Sequence, residues 1–128
     1  MPYEFWALEY PSYLHARAVG PHSAKNLMRF LVEANVALER SGRVNLLLEL
    51  ALSGPCLHGG LIHEIVAERS ADGARWSRIA YLDLSAERSL EHMRFAETLA
   101  RNRGVNIRLF RSLATAQHWL TESLEKAA

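Results

Sequence analysis

Residues 44–61 read VNLLLELALSGPCLHGGL. The first seven, Val44 to Leu50, are almost wholly apolar and too few for a helix, which is the pattern of a strand covered on both faces in a mostly parallel sheet. The chain then changes character. Ala51 to Gly60 contains Ser53, Gly54, Pro55, Gly59 and Gly60, a loop composition, and Leu61 to Arg69 resumes a helical pattern that the Ser70-Ala71-Asp72-Gly73 turn closes. A buried strand that empties into a glycine-rich loop and then a helix is one β-α unit, and the rest of the chain is read outward from it.

Upstream, Tyr3 to Glu9 and Tyr13 to Val19 are rich in aromatic and branched residues and flank Tyr10-Pro11-Ser12, where proline interrupts a ladder. This predicts a hairpin. Ser23 is placed to cap a helix whose apolar positions Leu27, Phe30, Leu31, Ala34 and Leu38 recur at helical spacing, and Gly42 ends it. Downstream, Arg78 to Leu84 is a second apolar strand, expected beside the first at the centre of the sheet with Leu46, Leu48, Ile79 and Leu82 buried. Ser85 is read as the cap of a helix carrying Met93, Ala96, Leu99 and Ala100 before Gly104. Val105, Ile107 and Leu109 alternate with polar residues, as in a strand near a sheet edge, and Ser112 precedes a last helix striped by Leu113, Ala116, Leu120 and Leu124. The expectation is an α/β fold: an N-terminal β-hairpin, then helices and strands in alternation, giving about five strands in a mixed sheet and about four helices within one domain, 1–128.

That order resembles the STAS domain, the SpoIIAA-like fold of the bacterial anti-sigma-factor antagonists. In its phosphorylatable members a strand ending in Asp-Leu is followed by Asp-Ser-Ser-Gly-Leu opening a helix. Here Glu49-Leu50 ends the strand and, without a gap, Leu57-His58-Gly59-Gly60-Leu61 falls where that motif would lie. Gly60 and Leu61 match; Leu57 and His58 replace the acidic residue and the phosphoacceptor serine. The resemblance therefore implies the fold, from about Tyr3 to Leu124, in a divergent member without the serine switch. It also implies two roles: regulation through a protein partner, or binding of a small ligand, lipid included, since the fold is similar to lipid-carrying domains.

Composition excludes several classes. Fifteen Lys and Arg against fourteen Asp and Glu leave a formal charge of +1, so no electrostatic footprint points to nucleic acid. The single cysteine, Cys56, forms no intramolecular disulfide, and no apolar run approaches the roughly 18 residues of a membrane span, so a cytoplasmic protein without stable membrane insertion is expected. Gly54, Gly59 and Gly60 have neither phosphate-loop nor dinucleotide spacing, and no cofactor is expected.

Candidate chemistry centres on the loop. Ser53, Gly54, Cys56, His58, Gly59 and Gly60 lie at the carboxyl end of a central strand, where ligands bind in open α/β sheets, and a helix starting near Gly60 aims free amides at the loop. Function is expected to concentrate there, through a noncatalytic interaction. Replacing His58 is then expected to cost partner binding more than stability. The alternative is a small hydrolase or transferase using Cys56, whose thiolate a helix N-terminus would favour, or His58; no third orienting group is fixed by sequence. His58, His63 and Glu64 have poor metal spacing, and no metal is expected, although His15, His22, His92 and His118 could approach in space. Arg101, Arg103, Arg108 and Arg111 form a basic cluster read as solvated surface. Tyr3 and Phe5 fall on one face of the first strand and Trp6 on the other, so the hairpin is either covered by helices or a surface for a homodimer.

Overall fold

The computed structural model describes residues 2–127, with side chains described from 2 to 122. Strands β1 (Glu4–Glu9) and β2 (Leu14–Pro21) pair antiparallel, and the Tyr10 amide closes the hairpin on the Tyr13 carbonyl at 2.9 Å. Helix α1 (Ala24–Ser41) starts on Ser23, whose hydroxyl accepts the Asn26 amide, and stops at Gly42, which takes φ +75, a left-handed conformation that a side chain would strain. Then follow β3 (Asn45–Ser53), α2 (Gly59–Gly73), β4 (Arg78–Asp83), α3 (Leu90–Arg101), β5 (Ile107–Phe110) and α4 (Leu113–Ala127).

The sheet is mixed and five-stranded, in the order β1-β2-β3-β4-β5, with β2 to β5 parallel. Each crossover moves to the next neighbour in the same direction, and crossovers share one hand. Helices α1, α2 and α3 therefore form one layer, and α4 is left to cover the other face. Strand alternation divides the core accordingly. Leu14, Ala16, Leu48, Leu50, Ile79 and Tyr81 pack under the three-helix layer with Phe30 and Met93, while Tyr13, Leu47, Ala80 and Leu82 pack against Ala116 and Leu120 of α4. The expected central pair is present, with Leu46, Leu48, Ile79 and Leu82 all buried.

Several local expectations are corrected. β3 continues to Ser53 because its last residues still pair with Gly20 and Pro21 of β2. The Ser70-Gly73 stretch belongs to α2: the Ser70 hydroxyl donates to the Val66 carbonyl, and the helix ends at Gly73, where a Cβ would press on Val105 at 3.2 Å. Val105 packs beneath Gly73 before β5 begins. Ser85 does not cap α3; its hydroxyl accepts the Glu87 amide in a turn that carries Arg88 inward, and Ser89 caps the helix through the His92 amide. Leu124, assigned to the stripe of α4, has its side chain outside the described residues.

Strand β1 is covered on one face only. Tyr3 and Phe5 pack towards α1, with Phe5 against Phe30, whereas Trp6 and Leu8 remain 45% and 59% exposed because α4 lies over β3 to β5. Leu82→Ala is expected to destabilise the fold by about 2–5 kcal/mol, since it opens a void in a closed layer, and Trp6→Ala by less than about 1 kcal/mol. Urea denaturation of both variants checks the contrast.

Candidate functional site

Helix α2 makes its closest backbone approaches to α1 and α3 on either side, and stands off the sheet beneath it. The space between is a cavity of about 140 Å³. Its walls are Leu27 and Leu31 of α1, Leu48 and Leu50 of β3, Ile62, Ile65 and Val66 of α2, and Ile79 of β4. Beyond His92 at its start, α3 contributes Ala96 and Ala100, and α2 ends in Ser70 and Gly73, so the small residues lie where larger ones would fill the gap. A further hollow of about 50 Å³ continues the space towards Trp76, sharing Leu31, Leu48, Arg69, Gly73 and Ile79.

At the carboxyl ends of β3 and β4 the lining turns polar, with His22, Tyr81, Asp83, Arg88 and His92. Asp83 and Arg88 form an ion pair whose side chains are both only 1% exposed. Nε of Arg88 donates to one Asp83 oxygen at 2.6 Å and Nη2 to the other at 2.8 Å, a two-pronged match of fork and carboxylate. Nη2 also donates to the Leu52 carbonyl at 2.6 Å and Nη1 to the Gly54 carbonyl at 3.2 Å. One guanidinium thus fastens the end of β3, the start of the loop and the end of β4.

The loop is held from two more sides. Nδ1 of His22 donates to the Pro55 carbonyl at 2.8 Å, the His22 amide donates to the Ser53 carbonyl at 2.7 Å, and Glu87 accepts the Gly54 amide at 3.0 Å. Gly54 takes φ +127, so a side chain there would be strained wherever it pointed. The start of the loop is therefore fastened beside the polar end of the cavity, although none of Ser53 to Gly60 is among the residues that line it.

The residues singled out from sequence have distinct places. Ser53 ends β3, and its hydroxyl donates to the Gly20 carbonyl at 3.4 Å. Cys56 is an exposed free thiol with no hydrogen-bond partner among the described residues. His58 is the N-cap of α2: its Nδ1 accepts the Leu61 amide at 3.2 Å, which occupies the nitrogen that a base would use. Gly59 and Gly60 form the first turn, with Gly59 against Phe95 and Gly60 against the His58 ring. The cap gives His58 a stability role, worth on the order of 1 kcal/mol, that the sequence reading did not assign it.

No three His, Cys, Asp or Glu side chains converge on a metal position among the described residues. His22 and His92 do meet at the cavity mouth, whereas His15 lies on the opposite face, bonded to the buried Glu49 carboxylate at 3.1 Å beside Arg17. Of the basic cluster, Arg101 donates to the Ile107 carbonyl and Arg108 lies over Phe110 and Trp119. The residues that sequence reasoning missed are Tyr81, Asp83 and Arg88. In sequence Arg88 sits between Glu87 and Ser89 and reads as a solvated loop cation; only its delivery to Asp83 marks it.

No family model matches the chain, and neither does any curated protein. The case for a function therefore rests on the topology and the cavity.

Burial holds Tyr81 well above the ordinary tyrosine range, with Asp83 adding to the effect, so its hydroxyl is neutral and donates towards Asp83 at 3.5 Å. Burial is also the main cause that lowers His22 and His92, and the Arg88 charge lowers both further. Both rings are thus uncharged near neutrality. As pH falls below about 6.5 the unfolded chain takes up these protons before the fold does, so stability held above that pH is lost as the lowered values are traversed. The midpoint of thermal unfolding is expected to drop between pH 7.5 and pH 5.5, and to drop less in His22→Gln/His92→Gln, in which the glutamine at 22 can still donate to Pro55. Arg88→Ala, which leaves Asp83 buried without its partner, is expected to cost about 3–5 kcal/mol at pH 7.5 by the same measurement.

Proposed function

We propose that the chain is a noncatalytic, STAS-like binding module that takes a small apolar ligand between α2 and the sheet. The observation that carries the reading is the cavity. A void of about 140 Å³ lined mainly by aliphatic side chains forgoes stabilisation on the order of 3 kcal/mol relative to a packed core. That is a large fraction of the 5–15 kcal/mol by which a domain of this size is stable, so an occupant restores contacts that the chain itself does not make.

The polar groups support binding over catalysis. Asp83 and Arg88 neutralise each other, and His58 is engaged in the helix cap, so among the described residues these groups give the hydrolase or transferase alternative no paired nucleophile and base. The Ser53–Gly60 loop lies outside the lining, with Gly54 and Pro55 held by Arg88 and His22 rather than presented to a substrate.

Toluene is expected to raise the unfolding midpoint of the full chain and to lose that effect in Ala96→Leu, which fills the cavity from α3. Calorimetry showing no stabilisation of the wild type by saturating toluene would reject the reading.

A protein-partner role is favoured by a separate observation, the exposed pair Trp6 and Leu8 beyond the reach of α4. Self-association through that face is expected to show as a dimer in sedimentation velocity that Trp6→Lys/Leu8→Lys converts to monomer.

A further inference from the structure

The cavity's polar end specifies more than an apolar guest. Each charged side chain in its lining already has a counter-charge: Arg88 has Asp83, and Arg69 lies 3.3 Å from Asp72 and 3.8 Å from Glu68. A carboxylate or phosphate entering here would lose its hydration and find Arg88 fully engaged and Arg69, whose Nε has no hydrogen-bond partner, already opposed by two carboxylates. Anionic ligands are disfavoured on that ground. Size sets a second limit. An engineered cavity of about 150 Å³ lined by aliphatic side chains holds a benzene ring, so this space suits one substituted ring rather than a long acyl chain.

The third constraint is a tautomer. The Pro55 carbonyl can only accept, so the proton of the neutral His22 ring resides on Nδ1. Nε2 is left as an unprotonated acceptor. It has no hydrogen-bond partner among the described residues, although the ring lines the cavity. Tyr81 and Arg88 direct donors towards Asp83 and backbone carbonyls, so the ring nitrogens offered to a guest as acceptors at this end are those of His22 and His92. An unpartnered acceptor of this kind rewards a ligand that donates to it.

We propose that the site selects a small uncharged amphiphile, one ring in size, whose aliphatic or aromatic body fills the space beneath α2 and whose hydroxyl or N–H donates to Nε2 of His22. Phenols and indoles are the ligand class with this shape and polarity. The assignment rests on the reading of the cavity as a ligand site, and it adds the identity of the polar end and the sign of the charge.

The test titrates the full chain with toluene, p-cresol, 4-methylanisole, 4-methylbenzoate and decanoate at pH 7.5, using calorimetry and the shift in unfolding midpoint. The expected result is that p-cresol binds at least as tightly as toluene and about tenfold more tightly than 4-methylanisole, which keeps the oxygen but has no proton to donate, while the two carboxylates produce no shift. In His22→Phe, p-cresol is expected to fall about tenfold relative to toluene. If that variant fails to fold, the comparison of p-cresol with 4-methylanisole on the wild type decides the matter without it. Binding of toluene with weaker binding of p-cresol overturns the polar-end assignment and leaves the cavity reading standing. Tighter binding of either carboxylate overturns the charge assignment. Failure of toluene and p-cresol alike overturns the cavity reading itself, and this proposal with it.

Discussion

The buried pair of Arg88 and Asp83 organises the carboxyl end of this sheet. Removing two charges from water costs several kcal/mol for each ion, and the cost is offset only when geometry and additional hydrogen bonds are good. Here both are met: the carboxylate receives two donors from the guanidinium besides the Ser85 amide and the Tyr81 hydroxyl, and the remaining contacts of the guanidinium run to the carbonyls of Leu52 and Gly54. Those carbonyls belong to the end of β3 and to the loop, so neutralising one charge also fixes where the loop leaves the sheet. Burial is the main cause that keeps His22 and His92 uncharged, and the same guanidinium adds to it.

The winding of the sheet accounts for the void beneath α2. Strands in sequential order place three successive helices in one layer, and the middle helix spans the two central strands with a neighbour on each side. Its height above the sheet is set by the side chains beneath it and by how closely its neighbours let it descend. α1 brings Leu27 and Leu31, whereas α3 brings alanines at 96 and 100, so the layer closes at its edges before its centre is filled. The other face has the opposite problem, with one helix for a five-stranded sheet. Trp6 and Leu8 stay in solvent there, beside the His15, Glu49 and Arg17 cluster.

The cavity was not legible in the sequence, and of the loop beside it only the position was. Ser53 to Gly60 could be located because a buried strand ending in glycine and proline marks a loop at the carboxyl end of a sheet, and Gly54 does require the conformation that only glycine adopts freely. His58 drew notice for its chemistry, yet the structure employs it as a helix cap, a role usually filled by serine, threonine or aspartate and so not anticipated from residue type. Ser85 and Ser89 show the same limit. Both are good caps by composition, and the choice between them was made by the burial of Arg88, a contact with no signature in local sequence.

What the sequence determined by itself is the order, type and approximate extent of the elements. Local periodicity, caps and turn residues act over a few positions, and the apolar run at Val44 to Leu50 permits only a strand buried on both faces. Tertiary structure decided which residues share a space. His22, Tyr81, Asp83, Arg88 and His92 come from four separate segments of chain, and they meet because β2, β3 and β4 run parallel, so that the residues at and after the ends of β2 and β4 gather at one edge of the sheet. A cavity is likewise a property of residues that fail to touch. Its volume depends on the heights and spacings of three packed helices, and those distances are set across the whole layer rather than along the chain.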